Sequence, residues 1–514
     1  MNLLNKNRSI ISVLALVCFL TSFTYAEQKS LSCPSFFSDH MVLQRGKTVA
    51  IWGKSIPKSE VNVKFAGQSK KIITGDNGEW KAILDSMEAS SENRVMEITS
   101  GDKSIVFKNV LVGEVWIASG QSNMQWTLPR SNMPKDELAK LNKPLVRMVT
   151  FSRVISKSPK YTATGTWEIL DAKSGPRSSA VASFFAMKLQ TELNIPIGII
   201  STSWGGTRIE PWTPAEGFDL VKELAAQAKE VREMDMTPQQ KITQVKDRIL
   251  ELNNWLEGAE KAHLTGGKLT LLPEIKSSKI INNRSPGAIY NAMVKPIVGL
   301  SFRGAIWYQG ESNVGDGLLY EKKMQALIGG WRKVWGQGDF PFYHVQLAPF
   351  GRYSGEKLAG IWEAQLHSTR SIVNTGMAVI TDIGNLKNIH PVNKSEVGRR
   401  LALWALAKDY DKDVKYSGPL YKSFKIVDNK MVISFDHADG GLSFKGDSIK
   451  DVMIKGEGES EFVTAKPEIK GNELIVAHPA GKKPIHVRMG WNKNAQPNLT
   501  NKEGLPASPF RTDK

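Results

Sequence analysis

Four short blocks carry residue types suited to acyl-transfer chemistry. Ser122 stands in Gly120-Gln121-Ser122-Asn123-Met124, just past the apolar run 115–118. A serine at the carboxyl end of a buried strand presents its hydroxyl at a sheet edge, where turn amides can face a developing oxyanion. Ser203-Trp204-Gly205-Gly206-Thr207 follows the next apolar run, and its paired glycines let backbone amides approach a ligand closely. Trp307-Tyr308-Gln309-Gly310-Glu311-Ser312-Asn313 follows a third. A side-chain amide placed like Asn313 can donate to an oxyanion, and losing one such donor costs on the order of 3–4 kcal/mol in the barrier. Each block also has a plainer reading, as a helix cap or a tight turn.

A serine nucleophile needs a base that titrates near neutrality, and histidine is the usual one. There are eight histidines. His344 lies inside an apolar strand and reads as core. His263, His437, His478 and His486 fall in polar stretches or β edges, His40 near the N-terminus, and His367 in a helical stretch. His390 alone sits in a loop after an α/β strand, the fourth block, which runs from Thr381-Asp382 to Ile389-His390-Pro391.

The elements that must position these residues fall into three regions. Over 27–110, short alternating segments separated by turn formers predict a small β-sandwich. Over 111–411, apolar strands at 115–118, 197–202, 304–308, 343–347 and 377–381 alternate with helices at 179–193, 320–334 and 394–408. That alternation predicts a parallel α/β sheet. Short β segments return over 412–514, either as a further subdomain or as an extension of the first. A helical insertion is expected at about 215–275. Within it Thr237-Pro238 gives a helix start, and Ile242, Val245, Ile249, Leu252 and Leu256 recur at three- and four-residue steps. This hairpin is expected to pack on the body of the protein; a lid or a dimer contact is the alternative.

Composition narrows the function classes. A chain of 514 residues with 14 Trp and 19 Phe has ample material for a core. Lys6 and Arg8, the apolar run 10–20 and Thr24-Tyr25-Ala26 before Glu27 make a secretory signal over 1–26, so the protein is expected to be exported, periplasmic or secreted, with no membrane anchor. Its removal takes away Cys18, leaves Cys33 alone and lowers the formal charge from +17 to +15. The lysines are scattered among acidic residues, so nucleic acid is not an expected partner. No metal and no cofactor are expected, and the oligomeric state is not legible.

Gly120-Gln121-Ser122-Asn123-Met124, Trp204-Gly205-Gly206-Thr207, Tyr308-Gln309-Gly310-Glu311-Ser312-Asn313 and Ile389-His390-Pro391 resemble the ordered blocks of the SGNH hydrolase superfamily, and within it the sialate O-acetylesterase family. Phe37 to Arg45, Val112 to Trp116, Glu363-Ala364-Gln365, Gly398 to Ala402 and Gly504 to Thr512 extend the likeness over nearly the whole chain. The resemblance implies a flavodoxin-like α/β hydrolase domain with accompanying β-sandwich-like regions. It implies Ser122 as nucleophile and His390 as general base. The implied oxyanion donors are the Ser122 amide, an amide of Gly205 or Gly206, and the Asn313 side chain.

One position departs from that pattern. Many SGNH enzymes place an aspartate three residues before the histidine, where Lys387 stands here, followed by Asn388. Three arrangements are open: a Ser-His dyad, a triad using Asp382, or a distant carboxylate. The dyad is slightly favoured. The implied substrate is an O-acetylated sugar, a sialic acid ester releasing acetate. Arg208 is a candidate anchor for the sugar carboxylate, Trp204 and Trp212 for stacking, and Gln309 and Glu311 for further contacts. An acetyl esterase acting on a plant polysaccharide such as acetylated xylan is the alternative, and a noncatalytic carbohydrate-binding protein a second one.

Overall fold

The computed structural model describes residues 31–273 and 280–513; the secretory signal expected over 1–26 lies outside them. In chain order the first strands are β1 (Val42–Gln44), β2 (Val49–Lys54), β3 (Glu60–Phe65), β4 (Gln68–Ile73), β5 (Glu79–Leu84) and β6 (Ser90–Ser100). Their side chains alternate as a half-buried strand requires: Trp80, Ala82 and Leu84 of β5 are inside and the residues between them outside. The next strand, β7 (Lys103–Gly120), pairs antiparallel with β6 over its first half and parallel with two strands of the next sheet over its second. The division expected near residue 110 therefore falls inside one continuous strand. A single apolar core runs from Leu31 through both regions.

The central sheet is completed by β8 (Asn142–Thr150), β9 (Trp167–Asp171), β10 (Ile197–Ser203), β11 (Gly304–Tyr308), β12 (Phe342–Val345) and β13 (Thr375–Ala378). Their order is β13-β12-β11-β7-β10-β8-β9, parallel throughout except for β9. From β7 the chain builds first toward β8 and β10, then crosses to the other side for β11 onward. The order thus reverses at β7, and a crevice opens at the carboxyl ends of the strands flanking such a point. The carboxyl ends of β10, β7 and β11 carry the first three blocks. Ser203 is paired with Gly120, and Gly120 with Tyr308.

The helices that cover and connect these strands are α1 (Ser122–Gln125), α2 (Ala180–Leu193), α3 (Ala225–Met234), α4 (Pro238–Thr265), α5 (Leu319–Trp335), α6 (Lys357–Ser371) and α7 (Lys394–Asp409). Ser179 caps α2 by accepting from the Ala182 amide at 3.2 Å. Against α2 lies α7, and the contact is close because Gly398 has no side chain. A Cβ there would stand 2.8 Å from the Val181 carbonyl and the Phe185 amide. That approach brings the start of α7, and the loop before it, beside the strand ends.

The last region has its own sheets and its own core. Leu420–Val427, Lys430–Asp436, Glu473–Ala477 and Glu468–Lys470 form one antiparallel sheet; Val463–Thr464, Val452–Gly456, Pro484–Met489 and Phe510–Arg511 form another. Ile433, Ile454, Val476 and Val487 fill the space between them. Among the described residues no strand of this region pairs with the N-terminal strands. Arg511 bonds Glu363 of α6 through two 2.9 Å contacts and so ties the unit to the α/β body.

The insertion departs from expectation. Ala228, Val231 and Met234 of α3 are buried with Phe218 and Ala326, so α3 does pack on the body. In α4, by contrast, Ile242, Val245, Ile249 and Leu256 are exposed. Among the described residues no helix is long and apolar enough to cross a membrane.

Candidate active site

Strand β7 ends at Gly120, and the Gln121 carbonyl accepts from the Met124 and Gln125 amides at 3.0 and 2.9 Å. This starts α1 and sets Ser122 at its first residue, half-buried at the crevice mouth. His390 arrives on the loop before α7. Asn385 accepts from the Lys387 and Asn388 amides, and Asn388 accepts from the His390 amide at 3.0 Å, which folds the loop on itself. The result places His390 Nε2 2.8 Å from Ser122 Oγ.

Two features outside the four blocks' expected roles hold that geometry. The Trp126 ring stacks on the imidazole with centroids 4.6 Å apart and planes 19° from parallel. The Arg130 guanidinium lies 3.7 Å from the same indole's centroid. Beneath the pair, the buried Asn123 donates to Glu311 Oε1 and, at 3.0 Å, to the carbonyl of Ile389, the residue before the histidine. Its own carbonyl oxygen accepts from Lys394 Nζ at 2.5 Å. Asn123 thus joins the serine turn to the histidine loop. Both residues were visible in sequence one and four positions after Ser122, but neither a polar residue in a turn nor a tryptophan near one is a signal until the fold pairs it with the histidine.

The electrostatics favour a neutral imidazole. Burial lowers the His390 pKa, and the nearby charges of Lys394 and Arg130 lower it further. Burial also brings Lys394 down to about 7, against the pull of Glu311. The Glu311 carboxyl is raised by burial, opposed by its bond from Asn123, and its Oε2 has no hydrogen-bond partner among the described residues.

Other expected residues stand differently. Asp382 does not reach the histidine. Arg400 of α7 grips its carboxylate through bonds of 2.6 and 2.8 Å, so Asp382 ties the end of the β13 segment to α7. Among the described residues no hydrogen bond or ion pair joins His390 to a carboxylate. Asn313 is not free to face an oxyanion. Its amide donates to Glu210 at 3.1 Å and to Asp316 at 2.7 Å, while its oxygen accepts from the Ile209 amide and Gln309. Gln309 is likewise buried, bonded to Gln121, the Thr207 carbonyl and Asn313. Arg208 is no free cation, since Glu210 and Asp316 bind it at 3.0 and 2.9 Å. Burial would raise the Glu210 carboxyl, but Arg208 and Lys323 hold it down at about 2. Trp212 is core, its indole N–H bonded to Thr207 Oγ1, and Glu311 faces Asn123. Trp204 is half-buried.

Gly205 sits against the serine: a Cβ there would lie 3.2 Å from Ser122 Cβ. Its amide is engaged by Gln125 Oε1 at 2.8 Å. The amides of Ser122 and of the exposed Gly206 make no hydrogen bond among the described residues.

A family model described as carbohydrate esterase, sialic acid-specific acetylesterase, matches residues 255–406. The sialate O-acetylesterase of Rattus norvegicus is 27% identical over 433 residues, 76% of each chain. That of Homo sapiens is 27% identical over 449 residues, 78% of this chain and 76% of the other. Among solved structures, a carbohydrate acetylesterase from Xanthomonas citri superposes with a TM-score of 0.79 at 30% identity, over 94% of this chain and all of the other.

The charge arrangement has a direct spectroscopic consequence. The His390 ring should protonate below its ordinary value of about 6.5 in a titration followed by its NMR ring-proton shifts. Lys394→Met removes one of the cations that disfavour imidazolium, so the midpoint should move up. A midpoint unchanged or lowered in the variant would contradict the coupling.

Proposed function

Since the chain belongs to the sialate O-acetylesterase family of carbohydrate esterases, we propose that it hydrolyses O-acetyl esters of sialic acid, with Ser122 as nucleophile and His390 as general base. The observation that carries the reading is the 2.8 Å contact between Ser122 Oγ and His390 Nε2. His390 takes the serine proton as Oγ attacks the acetyl carbonyl. The amides of Ser122 and Gly206 donate to the oxyanion, a role supported by their lack of intramolecular partners. The imidazolium returns its proton to the departing sugar oxygen, leaving acetyl-Ser122. Water, deprotonated by the same imidazole, then attacks the acetyl carbonyl, and the imidazolium returns that proton to Ser122 Oγ as the acyl–Oγ bond breaks and acetate leaves.

With no carboxylate bonded to His390 among the described residues, the developing imidazolium is steadied by the Trp126 π face, a contact worth about 0.5–2 kcal/mol. The reversal of strand order at β7 supports an SGNH-type, flavodoxin-like core. The pattern of residues 1–26 supports export to the periplasm or medium.

A sialic acid carries a carboxylate, and a cation placed to meet it is Arg130. It is exposed, has no ion pair among the described residues, and lies on the indole that stacks on His390. It takes the place in which Arg208 was expected.

Acetate release from O-acetylated sialic acid and from acetylated xylan, compared with the same purified protein, tests the substrate. Release from the sialate ester is expected, and Arg130→Gln should raise KM for that ester while leaving release from a neutral acetyl ester little changed. Release from xylan alone would overturn the sialate reading and keep the mechanism. Asp382→Asn separates dyad from triad. A triad aspartate removed in this way costs about 10⁴ in turnover, whereas here the loss should stay within about tenfold and the main effect should be a lower unfolding midpoint, because Arg400 loses its partner.

A further inference from the structure

Helix α4 is 28 residues long, closed by a capping box at Thr237 and by Gly266, and it spans about 42 Å at 1.5 Å per residue. Ile242, Val245, Ile249, Leu252, Leu256 and Ala259 follow one another at strict 3-4-3-4-3 steps. That period of 3.5 is the seam of a coiled coil, narrower than the stripe of a helix lying on a globular body. Ile242, Val245, Ile249 and Leu256 are 49%, 57%, 52% and 50% exposed. Among the described residues the returning chain meets the helix where Trp255 donates to the Thr270 carbonyl at 3.0 Å, and Leu252 and Ala259 are half-buried. An apolar seam of this length left in water is a mark of an interaction surface.

The charges choose the occupant. The first half of α4 carries Lys241, Lys246 and Arg248 against Asp247 and Glu251, with Arg248 paired to Glu251, and the second carries Glu257 and Glu260 against Lys261, so the halves differ in net sign. This order opposes the helix's own dipole, which favours acids at the start and bases at the end. A lone helix gains nothing from it, and neither does a parallel pair. An antiparallel second copy reverses the situation: each basic half faces an acidic half, and the two dipoles cancel. In heptad terms, with Ile242, Ile249 and Leu256 at a and Val245, Leu252 and Ala259 at d, Lys246, Asn253 and Glu260 occupy the e positions. An antiparallel pair centred near Asn253 sets Lys246 beside Glu260 of the other copy, twice. Both side chains are exposed and have no ion pair among the described residues.

We propose that α4 is a dimerisation element, pairing with the α4 of a second copy of this chain as an antiparallel two-stranded coiled coil. The inference is independent of the chemistry at Ser122. Sedimentation velocity of the full mature chain over a concentration series should show a monomer–dimer equilibrium that weakens with salt. Ile249→Asp should leave monomer, with acetate release per chain retained as evidence of an intact fold. Lys246→Glu and Glu260→Lys should each raise the dimer dissociation constant about tenfold through two symmetric like-charge contacts. The double reversal should restore it, as only an antiparallel pair of identical helices can. A wild-type chain monomeric at every soluble concentration, a dimer that survives Ile249→Asp, or single reversals without rescue would each overturn the proposal. Monomer that instead sediments with phosphatidylglycerol vesicles would do so in favour of a lipid surface.

Discussion

The arrangement depends on one buried side chain. Asn123, next to the serine, donates to the carbonyl of Ile389, next to the histidine, and accepts from Lys394 at the start of α7. Through it, residues separated by some 268 positions in sequence are held at hydrogen-bond distance. A hydrogen bond made inside the protein is electrostatically stronger than one made in water, and a buried group left without its partner is costly. The remaining architecture serves this contact. The switch in strand order at β7 opens the crevice, the α2–α7 contact at Gly398 delivers the loop, and the Asp382–Arg400 pair fixes where α7 meets the sheet.

In the proposed mechanism a histidine base works without an acidic partner among the described residues. In a triad the carboxylate orients the ring and offsets the imidazolium charge. Here orientation comes from the Trp126 stack and from the folded loop, while burial, Lys394 and Arg130 keep the ring neutral and ready to accept a proton. These influences disfavour the cation that forms during the reaction, so the π face of Trp126 supplies what stabilisation the ring receives. A base with a lowered pKa is weaker but remains unprotonated to lower pH.

The sequence made the strand ends legible because apolar runs followed by Gly-rich or polar turns have few other meanings, and Ser122 and His390 were found where such runs stop. The strands and helices of the α/β region were legible for the same reason. What sequence could not carry was pairing. Asp382 lies near His390 along the chain, yet Arg400, one helix away, holds its carboxylate. Asn313 and Arg208 have the right chemistry but face Glu210 and Asp316, whose charges engage them fully. Trp126, Asn123 and Lys394 matter only through contacts across long stretches of chain. The α4 stripe predicted a helix, but not which of packing on the body, a lid or a dimer contact uses it, because periodicity reports an apolar face without saying what covers it.

In the proposed reaction Ser122 carries the acyl group in a two-step transfer driven by His390. This is tested most directly by acid-quenching the protein during its first turnover of p-nitrophenyl acetate, whose good leaving group makes acylation faster than deacylation. Peptide mass spectrometry should find one acetyl group on the peptide bearing Ser122, appearing with the burst of nitrophenol and absent after the ester is exhausted. Turnover with no acetyl group on Ser122, or with the group on another residue, would contradict the account.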